Sequence, residues 1–332
     1  MDQNALPVAV DAMGGDNAPH EIIKGAELAI DAGIPVMLVG TPEALSEVDN
    51  IPVRYASEVI GMGEDPATSV RKKKDSSLVR SAEAVRDGDA IAMISAGNTG
   101  AIMASALLKI GRIRGVSRPA VATPIPVPGG GKPNILLDSG ANAECNPEWL
   151  VQFAEMGAVY ARDRFDIKKP RIGLLSIGEE PGKGSPLVKD AYGLLSDPSW
   201  QERCAGEFVG NVEGRDLMSQ DVDVIVTDGF TGNVALKTVE GTAKSIVGAL
   251  LEVFSSSAEA QEGVKLLTPA LLPLYETLDP ESVGGAILLG IKGVSMVSHG
   301  SSKAKAIFNA ISTAFELSSD EHVQHLEQVI KQ

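Results

Sequence analysis

Residues 8–16 read VAVDAMGGD, and residues 17–33 continue NAPHEIIKGAELAIDAG. The first four residues form an apolar run too short for a helix. A glycine pair follows, and then apolar residues recur every three or four positions, which is the helix period. This is a strand that ends in a glycine turn and feeds a helix. Moving outward, the same alternation predicts further strands at residues 35–39, 53–56, 90–95, 135–138, 171–176, 207–210 and 222–227. Helix-period segments such as SSLVRSAEAVRDG (76–88) and PEWLVQFAEMGAVYARDR (147–164) lie between them. Strands alternating with helices imply right-handed crossovers and an α/β fold, a mainly parallel sheet flanked by helices. No repeat and no Ser/Pro/Gly linker interrupts the chain. Residues 1–332 are therefore expected to form a single α/β domain. One stretch, SSSAEAQEGVKLLTPALLPLYETLD (255–279), lacks strand patterning and is rich in leucine, so a helical protrusion is expected at about 255–278.

The chain has 332 residues, of which 44% are hydrophobic, enough to bury a large core. Its formal net charge of −15 argues against a nucleic-acid partner, which requires a basic footprint. Cys145 and Cys204 are the only cysteines, which gives neither a disulfide framework nor a zinc-ligand spacing, so no metal is expected. The opening residues have no basic n-region, and the most apolar run, AILLGIKGVSMV (286–297), is short and broken by Lys292. A cytoplasmic protein is expected.

Four glycine-rich turns follow predicted strands: VAVDAMGGD (8–16), AMISAGNTGA (92–101), ILLDSGAN (135–142) and VIVTDGFTGN (224–233). In a parallel sheet the carboxyl ends of the strands share one edge, where ligands bind. Glycines admit a ligand to the backbone, and helix amino termini offer free N–H groups to an anion. Four such turns on one edge predict an anion site built from Asp11, Gly14, Gly15, Asp16, Asn98, Thr99, Gly100, Asp138, Asn142, Asp228, Thr231, Gly232 and Asn233. GEEPGKG (178–184) is one residue short of a phosphate loop and lacks its Ser/Thr, but Lys183 is held there between glycines. Arg71, Lys72, Lys73 and Lys74 form the only dense basic cluster, suited to a phosphate or an acidic partner. His299 stands where an apolar run meets a glycine turn and is a candidate titrating group, whereas His322 and His325 on a polar terminal helix are expected to be solvated.

The runs VAVDAMGGDNAP, RKKKDSS, SAGNTGA, LDSGAN, IGEE, TDGFTGNVALK, GGAILLGIKG and HGSSKAKAI, in order from residue 8 to residue 307, resemble the signature blocks of the acyl-acyl carrier protein:phosphate acyltransferase family. Val283 and Ile287 depart from the aromatic and the proline usual at those places. The resemblance implies transfer of a long-chain acyl group from acyl-acyl carrier protein to inorganic phosphate. The acyl phosphate product would supply a membrane glycerol-3-phosphate acyltransferase in phospholipid synthesis. It also implies a homodimer, no cofactor, and a fold similar to isopropylmalate dehydrogenases and phosphotransacetylases. The residues fit that chemistry, because phosphate is itself a nucleophile and a thiolate leaves readily. What the protein must supply is alignment and an oxyanion site. Lys183 and Asn233 are expected to contact the phosphate or the thioester oxyanion, with His299 as a further catalytic candidate and Lys73 as a phosphate ligand. Arg71–Lys74 are expected to meet the acidic carrier, with Arg112, Arg114 and Arg118 as the alternative. Leu266–Tyr275 is expected to touch the membrane reversibly or to cover a dimer partner.

Overall fold

The computed structural model describes residues 6–129, 131–278, 284–319 and 321–330, and only the backbone of residues 273–278. The opening unit forms as read. β1 (Val8–Asp11) is buried throughout, and α1 (His20–Asp31) lays Ile22, Ala26 and Ala29 against the sheet. The chain continues through β2 (Val36–Gly40), β3 (Val53–Tyr55), α2 (Pro66–Lys72), α3 (Ser77–Asp87), β4 (Ala92–Ser95) and α4 (Thr99–Ser105). Local chemistry sets these boundaries. Asp65 accepts from the Thr68 N–H to cap α2 with Pro66 in its first turn, and Ser76 caps α3, which Gly88 ends in the left-handed region. A π-helical turn, Ala106–Ile110, prolongs α4.

The second half comprises β5 (Ala120–Ile125), β6 (Asn134–Leu137), α5 (Pro147–Phe165), β7 (Arg171–Leu175), α6 (Pro186–Leu195), α7 (Pro198–Arg203), β8 (Glu207–Val212) and β9 (Val224–Val226). Two long helices follow, α8 (Gly229–Ser255) and α9 (Ala258–Leu278), then β10 (Ala286–Leu289), β11 (Val294–Val297), α10 (Ala304–Ser319) and α11 (His322–Ile330). β5 is a strand that the prolines of ATPIPVP disguise. Its Pro124 stands opposite Ile135 in an interior antiparallel ladder, where proline is unusual.

The eleven described strands form one sheet in the order β3-β2-β1-β4-β11-β10-β5-β6-β9-β7-β8. β3, β2, β1, β4 and β11 run together, and β6, β9, β7 and β8 run together. Between these blocks β11/β10, β10/β5 and β5/β6 are antiparallel. Three reversals leave the two parallel blocks pointing in opposite directions. This corrects the expectation of one shared edge: the carboxyl ends of β1, β4 and β11 line one edge, and those of β6, β9 and β7 line the other. A four-residue strand separates the edges by about 13 Å.

Side chains alternate between the two faces. Val8 and Val10 join the larger core under α1, α5 and α10, while Ala9 faces the smaller clusters on the other side. There α3 and α4 cover a cluster that includes Met93, Ile102, Val121 and Val297. The helical protrusion is larger than expected, because α8 and α9 pack together as a hairpin and α9 continues through Pro269. Leu250, Leu251, Leu266, Leu267 and Leu272 are exposed along it. The side chains of Leu274 and Tyr275, and Val283, lie outside the described residues. No described helix is long and apolar enough to cross a membrane. The reading of His322 as solvated is also corrected. α11 docks on α5, and His322 is buried with Nδ1 2.7 Å from Asp163 Oδ2, while His325 reaches the same oxygen at 3.1 Å.

Candidate active site

On the first edge the turns after β1, β4 and β11 are stitched into one another. Asp11 is buried and accepts from Ser95 Oγ (2.7 Å) and the Met13 N–H (3.2 Å), and burial holds its carboxyl above the usual range. Gly14 is required by the fit: a Cβ there would lie 2.6 Å from Ser95 Oγ and 2.9 Å from Asp11 Oδ2. The Asp16 N–H donates to the Gly300 carbonyl, next to Gly15, and Asn17 donates to the Ser301 and Ser302 carbonyls. Asn98 caps α4 through Oδ1 on the Ala101 N–H, and its Nδ2 donates to the Met62 and Glu64 carbonyls. Thr99 and Gly100 open α4, with Gly100 against Pro66. Lys73 Nζ is occupied by Glu64 Oε1 at 2.5 Å and the Val59 carbonyl at 2.7 Å. That lysine, with the Gly61 N–H and Ser69 hydroxyl, depresses the Glu64 carboxyl to about 2. His299 Nδ1 pairs with Ser301 Oγ at 2.8 Å within its own turn.

On the second edge the turns follow β6, β9 and β7, which are consecutive in the sheet. Asp138 is buried at the centre. It accepts from the N–H groups of Val121, Gly140, Ala141 and Asn142 and from Asn142 Nδ2, at 2.7–3.1 Å. Burial raises its carboxyl pKa in spite of these bonds. Asp138 therefore shapes the LDSGAN turn with its oxygens engaged. Asn142 also donates to the Pro119 carbonyl and accepts the Gly229 N–H at its own carbonyl, which locks this turn to the start of α8. Asp228 caps α8, accepting from the Thr231 N–H and hydroxyl, both at 2.8 Å. Gly232 lies so close to the Asp138 carbonyl that a Cβ would collide with it. Next to it, Asn233 is exposed in the first turns of α8 and faces Gly140, whose Cβ would lie 3.8 Å from that of Asn233. Lys183 is exposed in the loop after β7, its N–H on the Glu180 carbonyl and its stem over Gly178. No described residue hydrogen-bonds the side chain of either Lys183 or Asn233.

The candidates thus divide into two groups. Asp11, Gly14, Gly15, Asp16, Lys73, Asn98, Thr99, Gly100 and His299 gather at one edge, and Asp138, Asn142, Asp228, Thr231, Gly232, Asn233 and Lys183 at the other. Sequence reading missed Ser95 and Glu64, which neutralise the polar demands of Asp11 and Lys73, and it passed over Cys145. The Cys145 thiol lies against the Asn142 carbonyl and is pushed up to about 12 by burial first and by Asp138 second.

The mainly parallel α/β sheet with glycine turns and capped helix starts defines an α/β class of fold. Solved structures share the fold. Phosphotransacetylase EutD from Staphylococcus aureus superposes with a TM-score of 0.62 at 14% identity over 94% of each chain, and a branched-chain phosphotransacylase from Enterococcus faecalis superposes with 0.62 at 15%, covering 94% of this chain and 99% of that one. The family model described as "Fatty acid synthesis protein" matches residues 6–325. A phosphate acyltransferase of Heliobacterium modesticaldum is 48% identical over 319 residues, 93% of each chain, and one of Elusimicrobium minutum is 45% identical over 335 residues, 98% of this chain and 96% of that one. The chain belongs to the phosphate acyltransferase family.

Proposed function

We propose that the chain transfers a long-chain fatty acyl group from acyl-acyl carrier protein to inorganic phosphate at the edge formed by β6, β9 and β7. An oxygen of hydrogen phosphate attacks the thioester carbonyl and forms the C–O bond. The carbonyl electrons collapse back, the C–S bond breaks, and the sulfur leaves with the proton that the phosphate brought. The products are acyl phosphate and free thiol. The observation that carries this reading is that Asn233, exposed at the start of α8 and facing Gly140, and Lys183, exposed in the loop after β7, the strand next to β9, have side-chain donors that no described residue engages. An ammonium and an amide so placed stabilise phosphate charge and a developing oxyanion without prior rearrangement. Asp228 and the Asn142 carbonyl take the N–H groups of Gly229, Thr231 and Gly232 and so fix the start of α8, which carries Asn233.

The reading extends to the assembly. Exposed leucines on the α8–α9 hairpin suit a homodimer whose paired tips touch the bilayer reversibly from the cytoplasm, where an amphiphilic acyl phosphate is handed to a glycerol-3-phosphate acyltransferase. The test of the reaction is to mix protein, palmitoyl-acyl carrier protein and phosphate and trap the product with hydroxylamine. Phosphate-dependent palmitoyl hydroxamate is expected. Thiol release without hydroxamate marks a simple thioesterase and defeats the proposal.

A further inference from the structure

Beside the second edge lies a cavity of about 430 Å³ that no residue of the proposed chemistry fills. Met103 and Leu107 of α4 and its π-helical turn form one wall, and Trp149 in the first turn of α5 forms another. Arg112, Arg118 and Asn142 also line it, the two arginines exposed and Asn142 partly buried. Asn142 is the residue that locks the LDSGAN turn to the start of α8, so the cavity shares one wall residue with the candidate site.

The two arginines are preorganised. Arg112 Nη1 donates to the Val116 and Ser117 carbonyls, and the Arg118 guanidinium lies 4.9 Å over the Trp149 ring. Neither makes an ion pair with a described carboxylate. The same holds for exposed Arg114 between them, although much of the other positive charge, from Arg54, Lys73 and Arg80 to Arg171 and Arg215, is spent on internal carboxylates. In a chain of net charge −15, three unpaired arginines within seven residues create a local field that accepts an anion. Guanidinium groups suit phosphate especially, through paired N–H donors. The apolar part of the lining is Met103, Leu107, Pro119, Ala141 and Trp149.

We infer that this cavity receives the phosphopantetheine arm of the acyl carrier protein. The arm's phosphate is held by Arg112 and Arg118, its chain lies along Met103, Leu107 and Trp149, and its thioester is delivered past Asn142. Arg114, outside the cavity, meets the acidic surface of the carrier. The inference rests on the proposed acyl transfer, so its test has one readout free of activity.

Trp149 is a built-in reporter, since the second tryptophan, Trp200, is buried elsewhere. Titrating the protein with 4′-phosphopantetheine should change Trp149 emission, and the change should be absent from Trp149→Phe. Pantetheine without its phosphate should bind at least tenfold more weakly. Arg118→Glu should weaken phosphopantetheine binding tenfold or more. It should raise KM for palmitoyl-acyl carrier protein by a similar factor and leave KM for inorganic phosphate within twofold. Arg114→Glu should raise KM for the carrier-bound thioester and leave that for palmitoyl-phosphopantetheine unchanged, which separates the protein surface from the arm. Equal binding of the two pantetheines overturns the proposal. So does a rise in phosphate KM in Arg118→Glu, or a carrier KM governed by Arg71→Glu and Lys72→Glu instead. If binding behaves as expected and no hydroxamate forms, the arm site stands and the reaction assignment fails.

Discussion

The two edges of the sheet are built from similar sequences and end in different physical states. SAGNTGA and LDSGAN each follow a strand, and each carries an Asn near a helix or turn start. At the first edge Asn98 spends Oδ1 on a cap and Nδ2 on two carbonyls, Lys73 is clasped by Glu64, and His299 pairs with Ser301. At the second edge the carboxylates are also consumed, but the donors Lys183 and Asn233 are left over. A glycine turn with a polar residue is therefore no indicator of chemistry by itself. On the proposed reading, the exposed donors of Lys183 and Asn233 are what make the second edge a site.

That contrast is breakable. The largest effect is expected from Lys183→Ala and Asn233→Ala, each lowering kcat about a hundred- to a thousandfold, the usual loss for one oxyanion donor. Melting temperatures should stay at the wild-type value. Hydroxamate assays at saturating phosphate check the rate, and turnover near wild type in either variant removes that residue from the site. The buried acids should behave in the opposite way. Asp138→Ala leaves four backbone N–H groups without an acceptor and should cost about 3 kcal/mol in urea unfolding, whereas Asp11→Ala, with fewer donors to orphan, should cost about 1–2 kcal/mol. Equal costs would show that the two edges are equally demanding.

Away from both edges, Leu271→Glu with Leu272→Glu should abolish co-sedimentation with anionic liposomes and keep activity on soluble substrate within about twofold, since an apolar tip binds a bilayer only weakly. Dissociation of a dimer in size-exclusion chromatography would reassign those leucines to the subunit interface. The smallest effect is the acid response of the first edge. Glu64 is held at about 2 against an ordinary 4.5, so its contribution is complete above pH 4.5 and fades as pH falls from 4.5 to 2. Glu64→Gln should flatten that part of the stability profile, and a carboxyl titration followed by NMR should place the midpoint near 2.

Much of this was legible in the residues. β1, α1 and the first glycine turn follow from period and punctuation alone, and so do the strand positions up to β9, apart from β5. β5 was hidden because Pro124 argues locally against a strand, and only its antiparallel neighbours override that. The direction of the sheet was illegible for the same reason. Three antiparallel junctions depend on where β10 and β11 insert, a long-range choice that local periodicity does not encode. The placement of Lys183 and Asn233 in glycine-rich segments after strands was readable. The capture of Lys73 by Glu64 was not, because a nine-residue separation in sequence says nothing of a loop that folds back. The cavity lined by Arg112 and Arg118 draws residues from α4, the loop before β5, the LDSGAN turn and α5, so no single motif contains it.

The path of the last strands has a consequence for synthesis. β4 gains its neighbour β11 only when residues 294–297 have been made, and α10 then packs onto α1. On the ribosome, some two hundred residues must emerge after β4 while its edge stays unpaired and apolar, open to pairing with the wrong chain. A chain cut short before β11 leaves that edge of β4 without its neighbour.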